Sequence, residues 1–103
     1  MNKEKRIKKI IEEATVDAYN EWEELAGWDA ILTDNIKAPQ TCTINGMLAA
    51  LISIDSSGKA VYAKVKLDDA AKAIRVPIED ISIMDKKQDV YIRAYEEGFA
   101  NNL

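Results

Sequence analysis

Residues 16–39 read VDAYNEWEELAGWDAILTDNIKAP. Both tryptophans of the chain and a dense set of carboxylates fall in this stretch. A helical pattern precedes it and a strand pattern follows it, so its reading decides the fold. Asn20 is an N-cap candidate, and Glu23 stands three residues later, the spacing of a capping box. The helix that follows would place Trp22, Leu25, Trp28 and Leu32 on or near its inner face. Gly27 inside it costs about 1 kcal/mol against alanine. It marks either a close approach of another backbone or the end of a short first helix. Asp34-Asn35 reads as the exit turn, and Ala38-Pro39 stops helical structure.

Upstream, residues 3 to about 19 carry Ile7, Ile10, Ile11, Ala14 and Ala18 as one stripe of a 3.6-residue period, a first helix. Downstream, the period changes towards two. Thr41 to Ile44 is strand-like, and Asn45-Gly46 is a hairpin signal. Met47 to Ile54 is apolar and ends at the turn-like Asp55-Ser56-Ser57-Gly58. Val61, Ala63, Val65 and Leu67 alternate with polar neighbours as a half-buried strand. Ala73 to Ile78 and Ile81 to Met84 are short strands, with Pro77 placing the former at an edge or a strand end. Val90, Tyr91, Ala94, Tyr95 and Phe99 stripe a C-terminal helix over residues 86–101. The expectation is one α+β domain over residues 1–103. Its helical part covers 3–36 and its β part 40–84. Two N-terminal helices and one C-terminal helix would pack on a small antiparallel SH3-like sheet or barrel.

Composition narrows the function. Fourteen basic against eighteen acidic residues give a net charge of −4. Nucleic-acid affinity comes largely from neutralising phosphates, so an acidic chain suits cations or a basic protein partner better. The chain has no histidine and one cysteine, Cys42. The histidine-based nucleophile arrangements and the usual zinc and copper ligand sets are therefore absent. A lone thiol fits a reducing compartment, hence the cytoplasm, and its strand context reads as a buried structural residue. No phosphate-binding glycine loop or nucleophile-elbow motif is present, and an enzyme is not expected. No apolar run approaches the ~20 residues that span a bilayer, and the basic N-terminus reads as the solvated face of the first helix.

A metal held here would be a hard, oxygen-ligated one. Calcium takes about 6–8 oxygens from carboxylates, carbonyls, amides and water. Asp17, Asn20, Glu21, Glu23, Glu24, Asp29, Thr33, Asp34 and Asn35 supply such oxygens. A helix exit at Thr33-Asp34-Asn35 also frees backbone carbonyls. Nothing fits an EF-hand loop.

The sequence resembles a small bacterial calcium-binding protein family first known from cyanobacteria. The resemblance is carried by Glu4-Lys5-Arg6-Ile7, Val16-Asp17-Ala18-Tyr19, Glu23, Gly27-Trp28, Leu32, Asp34 and Pro39, then by Arg75-Val76-Pro77-Ile78-Glu79-Asp80-Ile81 and, more loosely, Ile92, Tyr95 and Gly98. It implies a non-EF-hand calcium-binding or buffering protein. Asp34 carries over best as a ligand, with Asn35 and Thr33 beside it and Asp17 and Glu23 matching the pattern. Where the family has aromatics after Gly-Trp, this chain has Asp29-Ala30-Ile31, and Thr33 replaces the acid before Asp34. The run before the last helix is Asp85-Lys86-Lys87-Gln88-Asp89, partly basic. Each lost carboxylate removes a ligand or some negative field. These departures define the alternative, a small acidic protein-binding module of the phage- or plasmid-inhibitor type that keeps the fold without the metal.

Overall fold

The structure, a computed structural model, describes residues 2–102. Helix α1 covers Lys3–Thr15 and α2 covers Glu21–Asn35. Five strands follow: β1 (Gln40–Ile44), β2 (Met47–Ser57), β3 (Ala60–Leu67), β4 (Ile74–Pro77) and β5 (Ile81–Ser82). A 3-10 turn at Ile78–Asp80 links the last two strands. Helix α3 (Lys86–Gly98) is followed by a second 3-10 turn at Ala100–Asn102. This is the expected α+β arrangement of three helices on an SH3-like antiparallel sheet.

The sheet order is β4-β3-β2-β1-β5, and every pairing is antiparallel. Asn45 and Gly46 have φ of 52° and 80°, the left-handed pair that a two-residue hairpin between β1 and β2 demands. The register of β2 on β3 shifts between Leu51 and Ser53, a bulge that bends the longest strand. Edge strands β4 and β5 are joined by only three residues. Such a link reaches at most about 14 Å, whereas the edges of a flat five-stranded sheet would lie about 19 Å apart. The sheet must therefore curl into a partial barrel, with its concave face covered by α2 and α3.

The core inside that curl is continuous. Ile10, Trp28, Leu32, Leu51, Val61, Val65, Ile78, Ile81, Ile92 and Tyr95 are all fully buried. Trp28 meets Tyr95 edge-on at 5.7 Å between ring centroids, and the Tyr95 hydroxyl accepts the Val61 N–H at 2.9 Å. Gly27 lies where α2 crosses α1, and a Cβ there would collide with the Ala14 carbonyl. Of the two sequence readings of this glycine, close backbone approach is the one observed.

Several expectations need correction. Helix α1 ends at Thr15, short of residue 19, because Asp17 takes a left-handed φ of 61° and turns the chain. Ala18 therefore leaves the helical stripe, and Trp22 does not join the inner face; Tyr19 just upstream is exposed too. They are 83% and 86% exposed, respectively. Trp22 falls on the first turn of α2, where it borders a shallow pocket with Leu25, Gly58, Lys59 and Phe99 and leaves most of its ring in solvent. Helix α2 continues through Asp34-Asn35 instead of turning there. The Asp55–Gly58 turn is shorter than expected: β2 runs on to Ser57, with Gly58 and Lys59 turning into β3.

Candidate functional site

The expected ligands divide between the two ends of α2. At its entry, Asn20 caps the helix by accepting the Glu23 N–H at 3.0 Å. Glu23 reaches back to accept the Tyr19 N–H at 3.1 Å and the Asn20 side-chain amide at 3.4 Å. The Asn20 half of the capping box is formed as read from sequence; Glu23 reaches back one residue further, to the Tyr19 N–H instead of the Asn20 N–H, and both its carboxylate oxygens are engaged. Asp17 sits just upstream, exposed, in the turn between α1 and α2.

At the exit, Thr33, Asp34 and Asn35 form the last three positions of α2, all exposed. The Thr33 hydroxyl donates to Asp29 Oδ1 at 3.2 Å, and Asp29 Oδ2 accepts from Ser56 Oγ at 2.8 Å. Asp29 thereby ties the last turns of α2 to strand β2. The Asn35 side-chain N–H donates to the Ile31 carbonyl at 2.9 Å, which leaves its Oδ1 turned away from the helix. The Ile36 N–H closes on Leu32 O. Beyond it the helix has run out, and among the described residues no hydrogen bond ends on the carbonyls of Thr33, Asp34 or Asn35. These orphaned carbonyls form the negative end of the helix dipole. No basic residue occupies the last turn of α2.

The structure therefore brings Thr33, Asp34 and Asn35 together and leaves Asp17 and Glu23 elsewhere. Eleven residues separate Glu23 from Asp34 on one continuous helix, a distance of about 16 Å along its axis. Oxygens bound to one calcium lie within about 5 Å of each other, so the two sets cannot serve a single ion. Among the described residues no three His, Cys, Asp or Glu side chains come together in a group able to hold a metal. An ion at the α2 exit would use the Asp34 carboxylate, backbone and amide oxygens, and water.

The exit is anchored by a residue that sequence reasoning missed. Gln88, in the first turn of α3, accepts the Lys37 N–H at 2.9 Å and the Gln40 side-chain N–H at 2.6 Å through Oε1. It also donates to Asp85 Oδ2 at 3.0 Å. The Gln88 bond, together with the Lys87 N–H, holds the Asp85 carboxyl below its ordinary pKa. One side chain thus fixes the segment leaving α2 against the start of α3. No local spacing announces a contact between residues 37 and 88. Asp29 was more legible, since it stands four residues before Thr33 on one helix face.

Elsewhere, Cys42 is fully buried, and burial pushes its thiol pKa up, which favours the unreactive neutral form. No helix of the described residues is long and apolar enough to cross a membrane.

No family model matches the chain, and no curated protein matches it. Two solved structures do. A calcium binding protein in its calcium-binding form superimposes with a TM-score of 0.77 at 19% identity, covering 94% of this chain and 91% of that one. The Anabaena protein CcbP superimposes with a TM-score of 0.72 at 20% identity, covering 97% of this chain and 94% of that one. At this identity the likeness establishes architecture: from α1 to the end of α3, the chain has the fold of these two proteins.

Proposed function

We propose that this chain is a non-EF-hand calcium-binding or buffering protein of the bacterial cytoplasm, taking the ion at the exit of α2. The observation that carries the reading is the shared fold over nearly the whole chain with a protein described in its calcium-binding form. The resemblance in sequence, read from Val16-Asp17-Ala18-Tyr19 through Asp34, points the same way. Local chemistry supports the exit as the place. Asp34 is exposed, and the free carbonyls and the Asn35 amide oxygen belong to the same last turn, at the negative end of a fifteen-residue helix. With one carboxylate and neutral oxygens, affinity belongs at the weak end of protein calcium sites, a Kd of about 10⁻⁴–10⁻³ M.

Thermal unfolding with and without calcium tests this. At ten times its Kd a ligand stabilises by about 1.4 kcal/mol. For 103 residues the unfolding entropy is about 0.2 kcal/mol per kelvin. The expected rise in Tm is therefore about 6 °C in 10 mM calcium for a Kd of about 1 mM. Absence of a shift beyond that given by equal ionic strength of sodium chloride would remove the calcium reading.

One observation favours a second reading, an acidic module that binds a basic protein. Val16, Tyr19 and Trp22 are 67%, 86% and 83% exposed, and Glu21 and Glu23 flank Trp22 in sequence. Exposed aromatics are enriched at interface centres, and acids nearby suit the polar rim facing a basic partner. A partner held by the wild-type chain and released by Trp22→Ser would support it. Retention by that variant would count against it.

A further inference from the structure

The entries of α1 and α3 converge on an open groove of about 810 Å³ whose charge opposes that of the whole molecule. Lys3 and Arg6 reach it from α1, and Lys86 and Lys87 from α3, in a chain of net charge −4. The ion pairs among the described residues involve Arg75 and Arg93, and none of them uses these four cations. Two carboxylates belong to the same region, and both are already engaged. Asp89 accepts the Ile83 N–H at 2.9 Å and faces Arg93 Nε at 3.7 Å. Asp85 caps α3 by accepting from the Lys87 N–H and from Gln88. Arg6 is held in place by a neutral group. Its Nη2 donates to the Tyr91 hydroxyl at 2.6 Å, and its guanidinium carbon lies 5.3 Å from that ring's centroid. Its position is thus fixed while its charge is left uncompensated.

We propose that this groove binds a small, multiply charged phosphate compound. Four cations gathered in one concavity repel one another, and they do so least when a compact polyanion lies between them. Ammonium groups suit phosphate oxygens as point charges, and a fixed guanidinium adds directed donors. The volume falls in the range of sites for nucleotide-sized ligands. The positive end of the α3 dipole points the same way. An acidic peptide or a nucleic acid fits less well, because an extended polyanion leaving the groove would run over a surface that is acidic on balance. A compact phosphate compound keeps its charge inside.

The probe is inorganic pyrophosphate, titrated calorimetrically into the intact protein at low salt, free of calcium and magnesium. Saturable binding that weakens as sodium chloride is added is expected. The double variant Lys86→Gln/Lys87→Gln should weaken it at least tenfold. Lys64→Gln/Lys72→Gln, the same charge change at exposed positions outside the groove, should leave Kd within about twofold. All four lysines are exposed, so both variants should fold, as circular dichroism would verify. The proposal is overturned if no saturable heat appears, if both double variants lose affinity equally, or if a poly-glutamate peptide binds where pyrophosphate does not. Asp34 is unchanged throughout, so failure here leaves the calcium reading standing, and the reverse also holds.

Discussion

The division of the expected ligands between the two ends of α2 allows a sharp test with two substitutions, Glu23→Ala and Asp34→Ala. Suppose calcium sits at the α2 exit. The Glu23 carboxylate then lies about 16 Å away. A unit charge and a divalent ion at that distance interact by about 0.5 kcal/mol in water, before salt. With a Debye length of about 8 Å at physiological ionic strength, roughly 0.1 kcal/mol remains. Glu23→Ala should therefore change the calcium Kd by less than about 1.3-fold. It should still cost stability, since it removes the acceptor of the Tyr19 N–H. The Asn20 cap itself remains, and loss of one hydrogen bond costs about 0.5–1.5 kcal/mol; at about 0.2 kcal/mol per kelvin Tm should fall by about 2–7 °C, equally with and without calcium. Asp34→Ala should do the opposite. Its side chain makes no hydrogen bond among the described residues, so apo stability should hold within about 0.5 kcal/mol. The calcium-dependent rise in Tm should largely vanish. Calorimetric titration and thermal melts on the two variants read both quantities. A tenfold loss of affinity in Glu23→Ala with no change in Asp34→Ala would place the ion at the α1–α2 junction and refute the reasoning.

Other consequences of the structure can be checked on stability alone. Tyr95→Phe strands the buried Val61 N–H that now donates to the hydroxyl at 2.9 Å, and urea unfolding should show a loss of about 1–3 kcal/mol. Trp28→Ala should cost about 3–5 kcal/mol, while Trp22→Ala should stay within about 0.5 kcal/mol, because the first ring is 0% and the second 83% exposed. Glu79 has its pKa raised, first by burial and further by Asp80 and Glu96, against opposition from its own backbone N–H and Arg93. One of its carboxylate oxygens is buried without a partner. A raised folded-state pKa means the folded protein holds more protons, so stability falls as pH rises from the ordinary carboxylate range through that raised value. Glu79→Gln should raise Tm at pH 7, with the gain closing towards pH 4. A lower Tm at pH 7 would mean that the attraction of Arg93 outweighs burial.

How far the sequence carried the reading depends on the range of each interaction. The hairpin at Asn45-Gly46, the Asn20 half of the capping box, and the alternation of Val61, Ala63 and Val65 were legible because each is fixed by neighbours a few residues away. The fate of the two tryptophans was not. Trp22 and Trp28 are six residues apart on one helix, about 240° around its axis at 100° per residue, so both could not point the same way. Periodicity alone still left the boundary of the buried face open. The choice was made by tertiary packing: Trp28 is buried edge-on against Tyr95, whereas Trp22 stays on the exposed rim beside Gly58 and Lys59.

The site shows the same limit in sharper form. A sequence can gather oxygens by position, and Asp17, Glu23 and Asp34 all lie within eighteen residues. The helix that brings them into one stretch is also what keeps them apart, since fifteen residues of unbroken α2 act as a rigid spacer. What does converge near the exit comes from far along the chain. Gln88 holds Lys37, and Lys86 and Lys87 bring positive charge towards Asn35. The negative end of α2 and the positive end of α3 therefore sit side by side. An ion at Asp34 would be bound by local oxygens against the unfavourable field of the neighbouring Lys86 and Lys87. That field is screened by salt, whereas inner-sphere ligation is not. Calcium affinity should consequently rise modestly, or hold, as sodium chloride increases from low levels. A site governed by diffuse negative charge would lose affinity steeply over the same range, and a salt series of calorimetric titrations separates the two.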